Sequence, residues 1–253
     1  MPSQRVTFKN EAGIRLAGIV DTAGETPLAY AIFTHCFTCT KDLKAIVKIS
    51  RQLAKHSIAV LRFDFSGLGH SGGRFEDSNF ETNLADLRAA VNWLSATHEA
   101  PQLLVGHSLG GAAAMASVGE FDSVKALATL AAPSCTKHLA NFLVSRNPDI
   151  EATGSGFVTI GGRDHKITTQ LLESLRGFDL ETSVRSIQVP HLVMHSPADE
   201  TVAFSCAKDL FDWTSGAKTL FGLPGSDHLF INQTQDTSWT ADCIAVWAAR
   251  FFE

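Results

Sequence analysis

No apolar stretch of this chain approaches the roughly 20 residues that a membrane-spanning helix needs, so no membrane partner is expected. Runs of like charge are missing too. Lys and Arg number 21 against 26 Asp and Glu, for a net charge of −5, which leaves no basic surface of the kind nucleic acid requires. The opening MPSQRVTFKN lacks the apolar centre of a signal peptide. Internal repeats and low-complexity tracts are absent. Cysteine is sparse, with five residues at irregular spacing. That odd count does not fit a secreted disulfide framework, so a reducing cytoplasm is the expected location. The remainder is ordinary globular material, 253 residues with 45% hydrophobic side chains. That length suits one or two domains.

Apolar patterning divides the chain into alternating elements. QRVTFKN and IRLAGIVDTA, separated by EAG, predict an opening hairpin. LAYAIFTHC, IAVLRFDF, QLLVGHS, VKALATLAAP, HLVMHS and AKTLFGLPG read as strands, several of them nearly continuous apolar runs covered on both faces. Helical spacing appears between them, as at Ile46, Ile49 and Leu53, or at Leu84, Leu87, Val91 and Leu94. Strand and helix in turn predict an α/β fold, a mostly parallel sheet of about eight strands wrapped by helices. The rhythm breaks over residues 134–187. That segment is expected to be a small cap inserted into one domain spanning residues 1–253, with GFVTIGGRDHKIT turning on Gly161-Gly162 and a helix over TTQLLESLRG.

Chemistry concentrates in LLVGHSLGGAA. Gly106-His107-Ser108-Leu109-Gly110 is a G-x-S-x-G flanked by a strand and a small-residue helix. In such an elbow a strained turn lifts the serine hydroxyl above the sheet, and the glycines remove Cβ atoms that would collide. A serine hydroxyl needs a base, and the base needs an orienting carboxylate. Around this kind of elbow the chain order is Ser, acid, His. His228, in LPGSDHLF between the last strand and the last helix, is the expected base. Asp199 is the expected acid, at the carboxyl end of its strand, where catalysis gathers in open α/β sheets. Glu200 and Asp227 are its neighbouring competitors. The loop HCFTCTKD follows the third strand, where a second oxyanion donor is expected. The donors would be the backbone N–H groups of Phe37 and Leu109. Cys36 and Cys39 are then expected as small packed residues rather than a working redox pair. His35, Phe142, Phe157, Arg163 and His165 are candidate pocket residues, with Leu143 and Ile167 beside them in the cap. No metal site is expected, because no second close Cys/His pair accompanies Cys36 and Cys39.

THCFTCTKD, LRFDFSGLGHSGG, VGHSLGGAA, HSPADETV and GSDHLF together make the chain, from Arg5 onward, resemble the α/β-hydrolase superfamily. The nearest resemblance is to bacterial hydrolases often joined to a C-terminal OsmC-like domain, which share an H-C-F-T-C loop. No such domain follows Glu253, so peroxidase activity of that partner is not expected here. The chain is also similar to small feruloyl esterases, which carry H-G-F-T-G where this sequence has cysteines. Ser108, His228 and Asp199, with this resemblance, lead to the expectation of a cofactor-free carboxylesterase acting through an acyl-enzyme on a small-molecule ester; the short inserted segment leads to the expectation of short-chain acyl or small aryl esters, and homo-oligomerisation is left open. A thioesterase, a feruloyl-type esterase and a cofactor-free haloperoxidase would use the same triad. From other classes come a thiol oxidoreductase using Cys36 and Cys39 and a binding protein on a hydrolase scaffold.

Overall fold

The computed structural model describes residues 2–24, 26–230 and 234–252. β1 (Ser3–Lys9) and β2 (Arg15–Asp21) form an antiparallel hairpin whose turn places Gly13 at φ 76°, a conformation that favours glycine. β3 (Ala29–Thr34), β4 (Ile58–Phe63), β5 (Leu103–His107) and β6 (Ala126–Leu130) follow. A separate hairpin comes next, β7 (Ser155–Ile160) and β8 (Arg163–Thr168), and then β9 (His191–His195) and β10 (Lys218–Gly222). The main sheet has eight strands in the order β1-β2-β4-β3-β5-β6-β9-β10, parallel from β4 onward. Every residue of β3, β4, β5, β6 and β9 is buried, as expected of strands covered on both faces.

The helices are α1 (Lys44–Lys55), α2 (Phe80–Thr97), α3 (Leu109–Ser117), α4 (Lys137–Arg146), α5 (Asp149–Thr153), α6 (Thr169–Gly177), α7 (Leu180–Arg185), α8 (Phe204–Trp213) and α9 (Thr234–Ala249). α1 and α9 pack together on one face, placing Ile46, Ile49 and Leu53 against Phe33, Val60 and Val105. On the other face Leu87 and Leu94 of α2, and the small residues of α3, share a core with Ile32, Leu61 and Leu104. Each fully buried Leu or Ile contributes about 1.5–3 kcal/mol relative to exposure. The α2 start is fixed by a reciprocal cap: the Thr82 N–H donates to Asn79 Oδ1, and the Asn79 N–H donates to Thr82 Oγ1, both at 2.9 Å.

Residues 134–187 are more regular than their sequence indicates. The hairpin does turn on Gly161 and Gly162, both at positive φ, the pattern a two-residue turn requires. α4 and α5 were not expected, because helices this short bury too few positions to give a clear period; α4 buries Ala140 and Leu143, and α5 Ile150 alone. α7 packs on α3 and α8 and so covers the main sheet. The rest of the segment meets the body at α2, where the Phe80 N–H donates to Ser174 Oγ at 3.1 Å and the Phe80 ring packs on Phe178, and at the 3₁₀ turn Phe75–Asp77. There Lys166 Nζ stands 2.6 Å from Glu76 Oε2, and Phe75 packs on His165 at 5.0 Å between ring centres.

Candidate active site

β5 ends in the elbow. Ser108 adopts φ 53°, ψ −122°, a strained backbone for a non-glycine residue. Its N–H donates to the Leu130 carbonyl at 2.9 Å, which ties the turn to β6. The surrounding glycines are sterically required. A Cβ on Gly106 would lie 2.5 Å from the Gly111 Cα, and one on Gly110 would lie 2.4 Å from the Thr34 carbonyl oxygen. The second contact shows how closely α3 approaches the end of β3, and Thr34 Oγ1 donates across it to the Gly110 carbonyl at 2.8 Å.

The fold brings three of the sequence-selected side chains together. Ser108 Oγ stands 3.0 Å from His228 Nε2, and His228 Nδ1 stands 2.8 Å from Asp199 Oδ2. With Nδ1–H donating to the carboxylate, Nε2 is the acceptor for the serine hydroxyl. The other carboxylate oxygen, Oδ1, accepts the N–H groups of Thr201 and Val202 at 2.8 and 2.9 Å. Burial by itself would raise the Asp199 carboxyl, but hydrogen bonds from His195, His228 and the Val202 N–H outweigh it and hold it well below the usual carboxylate range. Glu200 is solvent-exposed. Asp199→Ala is therefore expected to lower ester turnover by about 10³-fold or more, with Asp227→Ala staying within a few-fold. Steady-state kcat for both variants checks this, and the reverse ranking would move the acid to Asp227.

Two further histidines support this group, and sequence reasoning had given neither a positioning role. His107, within the elbow, donates from Nε2 to the His228 carbonyl at 2.8 Å. Burial pushes its imidazole down to about 3, so the ring is neutral. His195 donates from Nε2 to the Val202 carbonyl at 2.8 Å and lies 3.4 Å from Asp199 Oδ2. The available signal was a repeated pair: β5 and β9 both end in His-Ser, at His107-Ser108 and His195-Ser196. His191 is a core residue between the Thr129 and Thr214 hydroxyls, each 2.9 Å away.

The loop after β3 departs from expectation at its cysteines. Cys36 and Cys39 are joined in a disulfide, not left as separate packed thiols. The physical reason is the turn between them. The Cys39 N–H donates to the Cys36 carbonyl at 3.1 Å, Thr38 takes φ 56°, and the two Cα atoms come within 5.3 Å, well inside bridging range. The loop is also fastened independently of the bridge. The His35 ring donates from Nδ1 to the Cys36 carbonyl at 2.8 Å and accepts the Phe65 N–H at Nε2, 3.2 Å away. Burial pushes the His35 imidazole below its ordinary value, which keeps this tautomer neutral. Further along, Asp64 accepts both the backbone N–H and the Nζ of Lys41, at 2.7 and 2.8 Å, and Arg62 donates to the Lys41 carbonyl at 2.8 Å. Among the described residues, the N–H groups of Phe37 and Leu109 donate to no other backbone carbonyl.

Because of that fastening, Cys36→Ser and Cys39→Ser are each expected to retain ester turnover within about threefold while lowering stability by about 2 kcal/mol, the loop-closure value for so short a bridge. Turnover and urea midpoints, with and without a dithiol reductant, check both halves. Loss of turnover as complete as in Ser108→Ala would give the sulfurs a chemical role.

Of the five candidate pocket residues, His35 lines a small notch that Phe37 and Leu109 also line. His165 sits one layer out, against Phe75. Phe142, Phe157 and Arg163 are exposed and do not line the notch. Leu143 and Ile167 are fully buried. Among the described residues no group of three or more His, Cys, Asp or Glu side chains could hold a metal ion, and no helix is long and apolar enough to cross a membrane.

An eight-stranded, mostly parallel sheet with a serine elbow after β5 defines a class, and the chain belongs to the α/β-hydrolase superfamily, of the serine-hydrolase type. The family model described as serine aminopeptidase, S33, matches residues 39–150. The esterase domain of a Rhodothermus marinus protein is 43% identical to this chain, with all of both chains covered and a TM-score of 0.83. Est1E from Butyrivibrio proteoclasticus, solved with ferulic acid bound, shares the fold at a TM-score of 0.85 and 22% identity, over 97% of this chain and 98% of that one. The uncharacterized protein YfhR of Escherichia coli K12 is 25% identical over 238 residues, which is 90% of this chain and 74% of YfhR.

Proposed function

We propose that the protein is a carboxylesterase that hydrolyses short-chain acyl or small aryl esters through an acyl-enzyme on Ser108. The observation that carries this reading is the line of contacts Ser108 Oγ, His228 Nε2, His228 Nδ1, Asp199 Oδ2, with both links at hydrogen-bond distance. Likeness to the Rhodothermus marinus esterase domain supports it. The Ser108 oxygen attacks the ester carbonyl carbon, and its proton passes to His228 Nε2. The carbonyl oxygen becomes an oxyanion facing the Phe37 and Leu109 N–H groups, each such donor being worth about 2.7–4 kcal/mol in the transition state. Collapse breaks the C–O bond, and His228 returns the proton to the departing alkoxide. Water, deprotonated by His228, then attacks the acyl-serine; the bond from the acyl carbon to Ser108 Oγ breaks, His228 returns the proton to that oxygen, and the carboxylic acid is released. Asp199 holds the His228 tautomer and balances the imidazolium that forms.

A fluorophosphonate probe and a panel of p-nitrophenyl esters test the reading together. Labelling at Ser108 with ester turnover that Ser108→Ala abolishes is the expected result. Turnover indifferent to that substitution would overturn it.

A further inference from the structure

We infer that the notch lined in part by Phe37 and Leu109 is the acyl subsite, that it is sized for an acetyl group, and that Phe75 and Leu171 set this limit. The inference rests on the acyl-transfer reading above and adds the substrate class to it.

Sheet order assigns the sides of the site. Asp199 follows β9 and His228 follows β10, both on one side of β5, whereas the β3 and β4 loops lie on the other. His228 has to protonate the leaving oxygen, so the alcohol half of the ester lies toward β9 and β10. The carbonyl oxygen faces the Phe37 and Leu109 N–H groups. The one remaining substituent of the carbonyl carbon, the acyl chain, is directed toward β3 and β4.

The notch occupies that side. Its apolar walls are formed by Phe37, Phe65, Leu68, Phe75, Leu109 and Leu171, and the rest of the lining comes from the His35, Cys36 and Thr38 stretch and from Ser78 and Asn83. The volume open within it is about 10 Å³, room for roughly one water-sized group. An acetyl methyl has that size, and each further methylene needs space that the walls already fill. Those walls do not yield easily. Leu171, on α6, is 4% exposed and part of the apolar core. The Phe75 ring is held between Phe37, at 5.7 Å, and His165, at 5.0 Å. The acyl limit is therefore set jointly by the connection between β4 and α2 and by the segment inserted between β6 and β9. Acetate esters are the predicted substrate class, with the variable part of the substrate on the alcohol side.

The test holds the alcohol constant and varies the acyl chain: kcat/KM for p-nitrophenyl acetate, butyrate and hexanoate, beside methyl ferulate, on wild type, Leu171→Ala and Phe75→Leu. In the wild type, kcat/KM should fall by about tenfold or more from acetate to butyrate, and methyl ferulate should be a poor substrate. Either substitution should reduce the acetate-to-butyrate ratio by about tenfold. Near-UV circular dichroism verifies that each variant is folded. Phe75→Leu, which changes a partly exposed position, serves if Leu171→Ala does not fold. Ser108-dependent turnover with a flat acyl profile, a preference for hexanoate or ferulate, or a ratio unmoved by the folded variants would overturn the acyl subsite while leaving the esterase intact. No turnover and no fluorophosphonate labelling would overturn the esterase reading and this inference with it.

Discussion

Ser108→Ala is expected to abolish ester hydrolysis, lowering kcat by about 10⁴-fold or more, while leaving thermal stability nearly unchanged. The large kinetic effect follows from the side chain's place in the site. Its oxygen is the only one at hydrogen-bond distance from His228 Nε2 among the described contacts, and the oxyanion donors have nothing to stabilise unless a nucleophile attacks. The small stability effect follows from what the hydroxyl does not do. It caps no helix, and the turn is held by the Ser108 N–H to Leu130 and by the close approach of Gly106 to Gly111. Backbone strain at φ 53° is carried equally by serine and alanine. Residual turnover above the uncatalysed rate is consistent with this, since the oriented donors still stabilise the oxyanion formed by direct attack of water. Stopped-flow and steady-state assays on the variant, beside its melting temperature, give both numbers. Wild-type turnover in the alanine variant would remove the serine from the chemistry.

The second large effect is loss of stability on mild acidification. Burial pushes both His107 and His191 down to about 3, against about 6.5 in an unfolded chain. At these two positions the folded state therefore refuses protons that the unfolded state accepts, and His35, also pushed down by burial, acts in the same direction. Stability is full above pH 6.5, starts to fall as pH drops through that value, and keeps falling until the folded-state value near 3 is reached. Two such groups lower the unfolding free energy by about 4 kcal/mol between pH 8 and pH 5. That is a large share of the 5–15 kcal/mol typical of a domain. Asp199, held below the usual carboxylate range, extends the loss at lower pH, below its unfolded value near 4. Urea midpoints measured from pH 8 to pH 5 check the slope. His191→Gln, which cannot take a proton, should reduce it by about one proton; an unchanged slope would contradict the assignment.

The main architecture was legible because its signals are local and redundant. An apolar run such as IAVLRFDF has to be covered on both faces, and a helix with Ile46, Ile49 and Leu53 on one side has to lie on a sheet. That Ser108, Asp199 and His228 would meet was legible because each lies in the connection that follows a parallel strand, in an order set by how the chain winds. The disulfide was not, because a C-x-x-C spacing closes only if the backbone between turns, and the turn here depends on a positive φ at Thr38 that the sequence does not announce. The positioning work of His107 and His195 was hidden for a different reason. Both donate to main-chain carbonyls far from or oblique to their own strands, and partners of that kind leave no pattern in the side chains.

The hairpin of β7 and β8 forms its own two-stranded sheet and shares no backbone ladder with the eight strands beneath. An isolated hairpin has little stability of its own. Its attachments to the Phe75–Asp77 turn are one aromatic contact, a partly exposed ion pair of Lys166 with Glu76, and a long hydrogen bond from Thr168 Oγ1 to the Glu76 carbonyl at 3.4 Å. Amide hydrogens along β7 and β8 should accordingly exchange with solvent through a local opening, far faster than those of β3, β5 and β6, which exchange only when the whole sheet comes apart. Added salt should quicken that opening by weakening the ion pair. Ser108, Asp199 and His228 rest on the slow-exchanging part of the molecule, and His165, which packs on Phe75, on the fast part.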